Sequence, residues 1–292
     1  MNKQRTYSYL AVVSSMLLWA MSFVWSKLAF DTYHPFTVLF FRLFIAALSL
    51  FIFSKLFGIL QKVKKEDFKI LLLLSFFEPF LYFIGENFGL QLISASTAAI
   101  IIATIPLFMP LIGFYFFKES VTRNNILGVI ISVVGVLFVI INKNFSLSGN
   151  PIGYILLFLA VFAALSYTVV LKHVTSKYNT FTIVSWQNLI ASIAFFPLFL
   201  FFDYPQFKEI GIFHIDFIYI ILLAVLASNA AFLLYTHALK VFGVAKIGVY
   251  TNLIPIFTII ISFFIFEEKL DSLKYIGIAL VIAGLFLSER KK

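Results

Sequence analysis

Residues 105–135 read IPLFMPLIGFYFFKESVTRNNILGVIISVVG, and residues 254–284 read IPIFTIIISFFIFEEKLDSLKYIGIALVIAG. Laid over one another at an offset of 149, the strings match Pro106 with Pro255, Glu119 with Glu268, Gly128 with Gly277 and Gly135 with Gly284. The same register runs without a gap over 67–143 and 216–292, where Asp67 meets Asp216. Upstream, an offset of 145 pairs Lys27 with Lys172 and Phe36-Thr37 with Phe181-Thr182. In a chain rich in phenylalanine and leucine, common residues agree by chance, so the rarer matches carry the weight. The sequence therefore reads as two related units, 1–145 and 146–292.

The solvent of those units follows from composition. Of 292 residues, 62% are hydrophobic and 12% charged, against about 45–50% and about 25% in soluble domains. Too little polar surface remains to coat a water-soluble globule. A spanning helix needs about 20 mostly apolar residues, and ten stretches qualify: approximately 8–27, 36–57, 68–88, 93–117, 123–142, 151–171, 180–202, 215–239, 243–266 and 272–288. Lys3 and Arg5 before the first run imitate a secretory leader, but that run is long and nine more follow, so it is expected to be retained. Five helices per unit is an odd number. Consecutive units must then enter the bilayer from opposite sides, giving an all-α integral membrane protein of ten helices in two inverted five-helix repeats.

Lysine and arginine collect on the cytoplasmic side. With the N-terminus inside, sixteen of the 22 fall on cytoplasmic loops, five outside, and Arg42 lies within a span. That bias places both termini in the cytoplasm, and the expected location is the plasma membrane. The net charge of +9 is read as orientation charge, since no basic patch interleaves with aromatics as nucleic-acid binding requires. Absence of cysteine excludes disulfides, thiolate metal sites and a cysteine nucleophile.

At this point the chain resembles the drug/metabolite transporter superfamily of EamA type. The residues carrying the resemblance are Trp19-Ala20-Met21-Ser22, Gly85-Glu86-Asn87-Phe88-Gly89-Leu90, Pro106, Lys118-Glu119-Ser120, Gly128 and Gly135, with Pro255, Glu268-Lys269-Leu270, Gly277 and Gly284 in the second half. The resemblance implies export of amino acids, metabolites or toxic compounds, with substrate differing among relatives. Arg42 aligned with Gln187, and Glu78 aligned with Ala227, depart from repeat symmetry.

Two inverted halves that exchange conformations expose one central site to each side in turn. Interrupted spans at matching positions point to that site, so the helix-breaking Pro106 and Pro255 place a cavity at mid-membrane in the fourth and ninth helices. Ionisable groups inside a span are costly and presumed functional or paired. At about 1.5 Å per residue, Arg42 lies roughly 9 Å deep, between Glu86 and Glu78, within reach of either for an ion pair. Glu78, in mid-span before Pro79, is the expected proton carrier or amine ligand, with Glu86 a second protonation site. Expected substrate-binding residues are Trp19, Arg42, Glu78, Asn87 and Thr104 from the first half, and Gln187, Asn229, Tyr235, Tyr250 and Asn252 from the second. The paired glycines read as helix-packing surfaces, and Glu119 and Glu268 as structural loop groups beside the capping residues Thr122 and Asp271.

No HExxH zinc motif, Walker A loop or GxGxxG turn occurs, and the aspartates are isolated in loops. An intramembrane enzyme, a sensor and an assembly subunit are therefore the weaker alternatives to a secondary transporter. Neither metal nor organic cofactor is expected. The expected partners are a small-molecule substrate, the bilayer and a coupling proton, with the chain acting as a monomer or homodimer.

Overall fold

The computed structural model describes residues 3–118, 120–141, 149–242, 250, 251, 253–268 and 270–289. Among the described residues, eight helices are long and apolar enough to cross a membrane: α1 Tyr7–Phe30, α2 Pro35–Leu56, α3 Lys65–Leu92, α4 Ala95–Phe116, α5 Arg123–Ile140, α6 Pro151–Val174, α7 Thr180–Ile210 and α8 Phe217–Tyr235. Two shorter apolar helices follow, α9 Leu253–Phe266 and α10 Ser272–Ser288. No strand occurs among the described residues. The polarity is inside out. Leu48, Phe114, Phe162, Ile193 and Phe264 face outward, whereas Arg42, Glu86, Asn87, Gln187 and Asn229 are buried. Only lipid solvates such a surface, and only helices satisfy their own backbone groups within it. The chain is a multi-pass membrane protein.

Small residues and aromatics decide which helices pair. Gly128 of α5 lies against Gly284 of α10, and Gly135 against Gly277, so the two helices run antiparallel. Their backbones touch: a Cβ on Gly128 would stand 2.5 Å from the Gly284 carbonyl oxygen, and one on Gly135 would stand 2.7 Å from that of Gly277. Ser132 adds a hydrogen bond from its Oγ to the Val281 carbonyl at 3.1 Å. α2 and α7 are also antiparallel, with Phe36 near Phe202, Phe40 stacked on Phe199 at 5.1 Å and Phe53 stacked on Phe181 at 6.1 Å. Elsewhere α1 packs on α8, and α3 packs on α6.

The bundle is laced at both ends. At one, Tyr178 donates to Asp67 Oδ2 at 2.7 Å, Lys177 pairs with Oδ1 of the same carboxylate, and Asn179 Nδ2 donates to the Ile59 carbonyl at 2.7 Å. Asp67 holds the exposed Lys177 ammonium above its ordinary range. A raised lysine value means the pair contributes fully at neutral pH and is lost only as pH climbs through that elevated value. At the opposite end, Thr32 donates to Asp216 and Tyr33 donates to the Gly211 carbonyl at 2.8 Å.

Asp203 closes the second lacing by capping a helix from a distance. The N-cap of α2, His34, makes no side-chain cap, leaving exposed N–H groups that need acceptors. Asp203 at the end of α7 takes the Thr37 N–H at 2.7 Å and the Thr37 hydroxyl at 3.2 Å, with His34 Nδ1 3.7 Å away. Asp203→Ala is expected to cost about 1–2 kcal/mol. Thermal unfolding in detergent, compared with Asp203→Asn, reads this; a wild-type melting temperature for the alanine variant would contradict it.

α4 is interrupted by a turn at Ala103-Thr104, after which Pro106 sits in the first turn of the resumed helix, where a missing N–H costs nothing. Ala98, Ala99, Ile101 and Leu107 on either side of it belong to the core. Pro255 is buried within α9. The larger irregularity is in α3. There Glu78 is extended, at φ −144° and ψ 122°, inside a π-type segment Phe76–Leu81, and its peptide to Pro79 is cis. α8 carries a second π segment, Leu223–Ala230, which matches 74–81 at the offset of 149.

Of the loop acids, Glu268 accepts from Ser96 Oγ at 2.9 Å at the start of α4. The starts of α5 and α10 are capped by Thr122, which accepts from the Asn125 N–H at 3.2 Å, and by Asp271, which accepts from the Lys274 N–H at 2.9 Å. Glu119 lies outside the described residues.

Candidate functional site

The break in α3 opens a cavity between α3, α6, α7 and α8. Glu78, Pro79 and Phe83 line it from α3 and Tyr167 from α6; Val184, Gln187 and Asn188 contribute from α7, and Ser228 and Phe232 from α8. Its volume is about 30 Å³, room for water and far below the roughly 300–1,000 Å³ of a drug-sized site. The wall is mostly apolar and carries a few polar groups. Glu78 presents a half-buried carboxyl that makes no hydrogen bond among the described residues, and the buried Asn188 Nδ2 has no acceptor. Phe83 and Phe232, which face each other's halves here, are aligned at the offset of 149.

Arg42 stands behind this wall. Its Nε donates to Ser228 Oγ at 2.9 Å, and the guanidinium lies 4.2 Å from the centre of the Phe83 ring, a cation–π contact. The expected ion pair with Glu78 or Glu86 is not formed: among the described residues Arg42 has no carboxylate at bonding distance. Its guanidinium is turned onto the aromatic face instead, and Nη1 lacks a partner. Glu86 is buried and accepts from the Tyr82 hydroxyl at 2.9 Å; it does not reach the cavity wall.

The remaining expected ligands divide. Gln187 lines the cavity with both ends of its amide engaged: Nε2 donates to the Glu78 carbonyl at 2.9 Å, and Oε1 accepts from Tyr167 at 3.4 Å. Trp19 Nε1 donates to the Ala227 carbonyl at 3.2 Å, and its ring packs on Phe232 and Tyr235 one layer away from the cavity. Asn87 and Thr104 bond within their own helices, to the Phe83 and Ile101 carbonyls. Asn229 ties α8 to α2 through the Ala46 carbonyl at 3.1 Å and Ser49 Oγ at 2.9 Å. A short polar side chain in an apolar helix finds backbone first, and the Oδ1 atoms of Asn87 and Asn229 have no partner among the described residues. Tyr250 packs near Tyr9, and Asn252 lies outside the described residues. Tyr167, Ser228 and Phe83 were not anticipated as wall residues. Tyr167 sits in an apolar run, Phe83 is one of many phenylalanines, and Ser228 is one small polar residue among many. No cluster suited to a metal ion occurs among the described residues.

A broken spanning helix with an unpaired carboxyl at the break, in a bundle of paired antiparallel helices, is the anatomy of a solute carrier. The model of the EamA-like transporter family matches residues 6–141 and again residues 151–290. This chain belongs to the EamA-like transporter family. It is 26% identical over 301 residues to an uncharacterized transporter, YetK, of Bacillus subtilis, covering 99% of this chain and 89% of that one. An uncharacterized transporter of Archaeoglobus fulgidus is 27% identical over 98% of each chain. A crystal structure of a protein of 15% identity superposes with a TM-score of 0.69 over 96% of each chain, which speaks for shared fold alone. Family and relatives together make this EamA-like chain a membrane transporter.

Proposed function

We propose that this EamA-like protein is a secondary transporter that moves a small metabolite by alternating access, as an exporter coupled to protons or by exchange. The observation that carries the reading is the half-buried carboxyl of Glu78 at the break of α3, unbonded among the described residues, in a small cavity walled by both halves of the chain. Amino acids, nucleobases and toxic organic compounds are the substrate classes in view. The protein works as a monomer or homodimer in the plasma membrane.

The packing supports ten spans in two inverted repeats, 1–145 and 146–292. Exchanging the halves maps the main pairings onto one another: α1 on α8 becomes α6 on α3, while α2 with α7 and α5 with α10 map onto themselves. Self-mapping pairs related by an in-plane twofold must be antiparallel, as both are. The family model's double match adds to this. With the lysine-rich ends inside, both termini are cytoplasmic.

Glu78 gives coupling a physical basis. An ionised carboxylate sealed into a dry site without a cation is expensive, so the closed transit favours a site neutralised by a proton or a positive group. Two measurements test the whole reading. The chain lacks cysteine, so single cysteines placed at either end report sidedness to an impermeant maleimide; ends on opposite faces would overturn the inverted repeat. Purified protein screened against amino acids, nucleobases and quaternary amines should melt later with at least one of them, by about 2.7 kcal/mol at a hundredfold excess over Kd. Failure of every class, in melting and in liposome counterflow, would overturn the transport reading.

A further inference from the structure

Gln187 stands in sequence where a substrate ligand is expected, yet both ends of its amide already hold protein groups. Its nitrogen donates to the Glu78 carbonyl at 2.9 Å and its oxygen accepts from the Tyr167 hydroxyl at 3.4 Å. The carbonyl it holds belongs to the one extended residue in the π segment of α3, where the helical ladder is interrupted and a carbonyl in a low-dielectric interior needs an outside donor.

The same device recurs in the other half with different chemistry. At the offset of 145, Gln187 aligns with Arg42, and Arg42 Nε reaches Ser228 at 2.9 Å in the π segment of α8. At the offset of 149, Ser228 aligns with Pro79, next to Glu78. Two equivalent positions on α2 and α7 thus each pin the irregular segment of the opposite half. Only one of those segments carries a carboxyl, since Glu78 aligns with Ala227.

We propose that Gln187 is a positioning residue, whose amide, braced by Tyr167, fixes the main chain at Glu78 so that the carboxyl is presented to the cavity. Without that donor the segment Phe76–Leu81 is free to shift its helical register, and a π segment that reverts to α turns every side chain beyond it. The charged groups within electrostatic reach of Glu78 are Arg42 on α2 and Glu86 on α3; the phenols are Tyr82 on α3 and Tyr167 on α6. None of them is hydrogen-bonded to its carboxyl, so its surroundings are set by where the main chain aims it.

This rests on the reading of Glu78 as a proton-binding group, and the test separates the two. pH-difference infrared spectroscopy on protein in liposomes, with the proton as the probe, reads carboxyl protonation; the band absent in Glu78→Gln is that of Glu78. In Gln187→Leu, similar in bulk, the midpoint of that band is expected to move by at least about one pH unit. Tyr167→Phe, which leaves the amide but removes its brace, should move it less and in the same direction. Midpoints that superimpose on wild type in both variants overturn the positioning role and leave Glu78 standing. A spectrum in which Glu78→Gln removes no titrating band overturns the underlying reading instead. Should Gln187→Leu fail to fold, Tyr167→Phe decides alone: a displaced midpoint supports the brace and an unchanged one removes it.

Discussion

Gly284→Val is expected to destabilise the protein by more than about 3 kcal/mol, at the upper end of overpacking penalties. Its Cβ would stand 2.5 Å from the Gly128 carbonyl oxygen and within 3.0 Å of Ser132. Helix backbone cannot retreat as a side chain can, so α5 and α10 must separate. Separation exposes Ser132 and breaks its bond to the Val281 carbonyl. Gly128→Val attacks the same contact from the facing helix, and the double variant should therefore cost less than the two singles added. Ala283→Val, one residue away and facing outward, is the control and should melt as wild type does. Thermal unfolding of the purified proteins, with yield from membranes as a second measure, decides it. A Gly284→Val protein melting with wild type would mean that the two helices do not meet in the bilayer.

The size of that effect follows from the solvent. Lipid tails are as apolar as leucine, so spanning helices gain little from hiding apolar surface in one another and depend on close backbone approach. That is why the glycines at 128, 135, 277 and 284 were legible as packing faces from their seven-residue spacing, and why they face one another as observed. The inside-out polarity was legible for the same reason: a continuous apolar run fixes depth and solvent together.

Azimuth was not legible. A rise of about 1.5 Å per residue put Arg42, Glu86 and Glu78 at neighbouring depths, and depth alone suggested an ion pair. Depth says nothing about the direction in which a side chain leaves its helix, and Arg42 turns to Phe83 and Ser228 instead. The form of each proline break was hidden for a related reason. Pro106 and Glu78-Pro79 look equally disruptive as letters, but one begins a helical turn after a break at Ala103-Thr104 while the other sits inside a π segment. What sequence did reveal was the chemistry of the second case, a carboxyl immediately before a proline in mid-span. Tyr167 lay hidden in an apolar run, since a phenol costs little to insert and so leaves no mark on hydropathy.

Glu78→Gln is expected to abolish proton movement while leaving the protein folded. The glutamine side chain has the same length, keeps the main-chain carbonyl that Gln187 binds, and removes only the group that can gain and lose a proton. In liposomes loaded with a pH-sensitive dye, a compound that stabilises the wild-type protein in the melting screen should drive a pH change when it crosses. The Glu78→Gln protein should show no change beyond that of empty liposomes. Counterflow of the same compound, which requires no net proton transfer, should persist if a neutral site is what allows closure, since the variant is permanently neutral there and pays no desolvation cost for a sealed charge. Loss of both activities with normal melting would instead make the carboxylate a ligand for a positive group on the substrate. Equal dye responses in wild type and variant would remove Glu78 from coupling altogether and move the search to Glu86, a buried carboxyl further along α3.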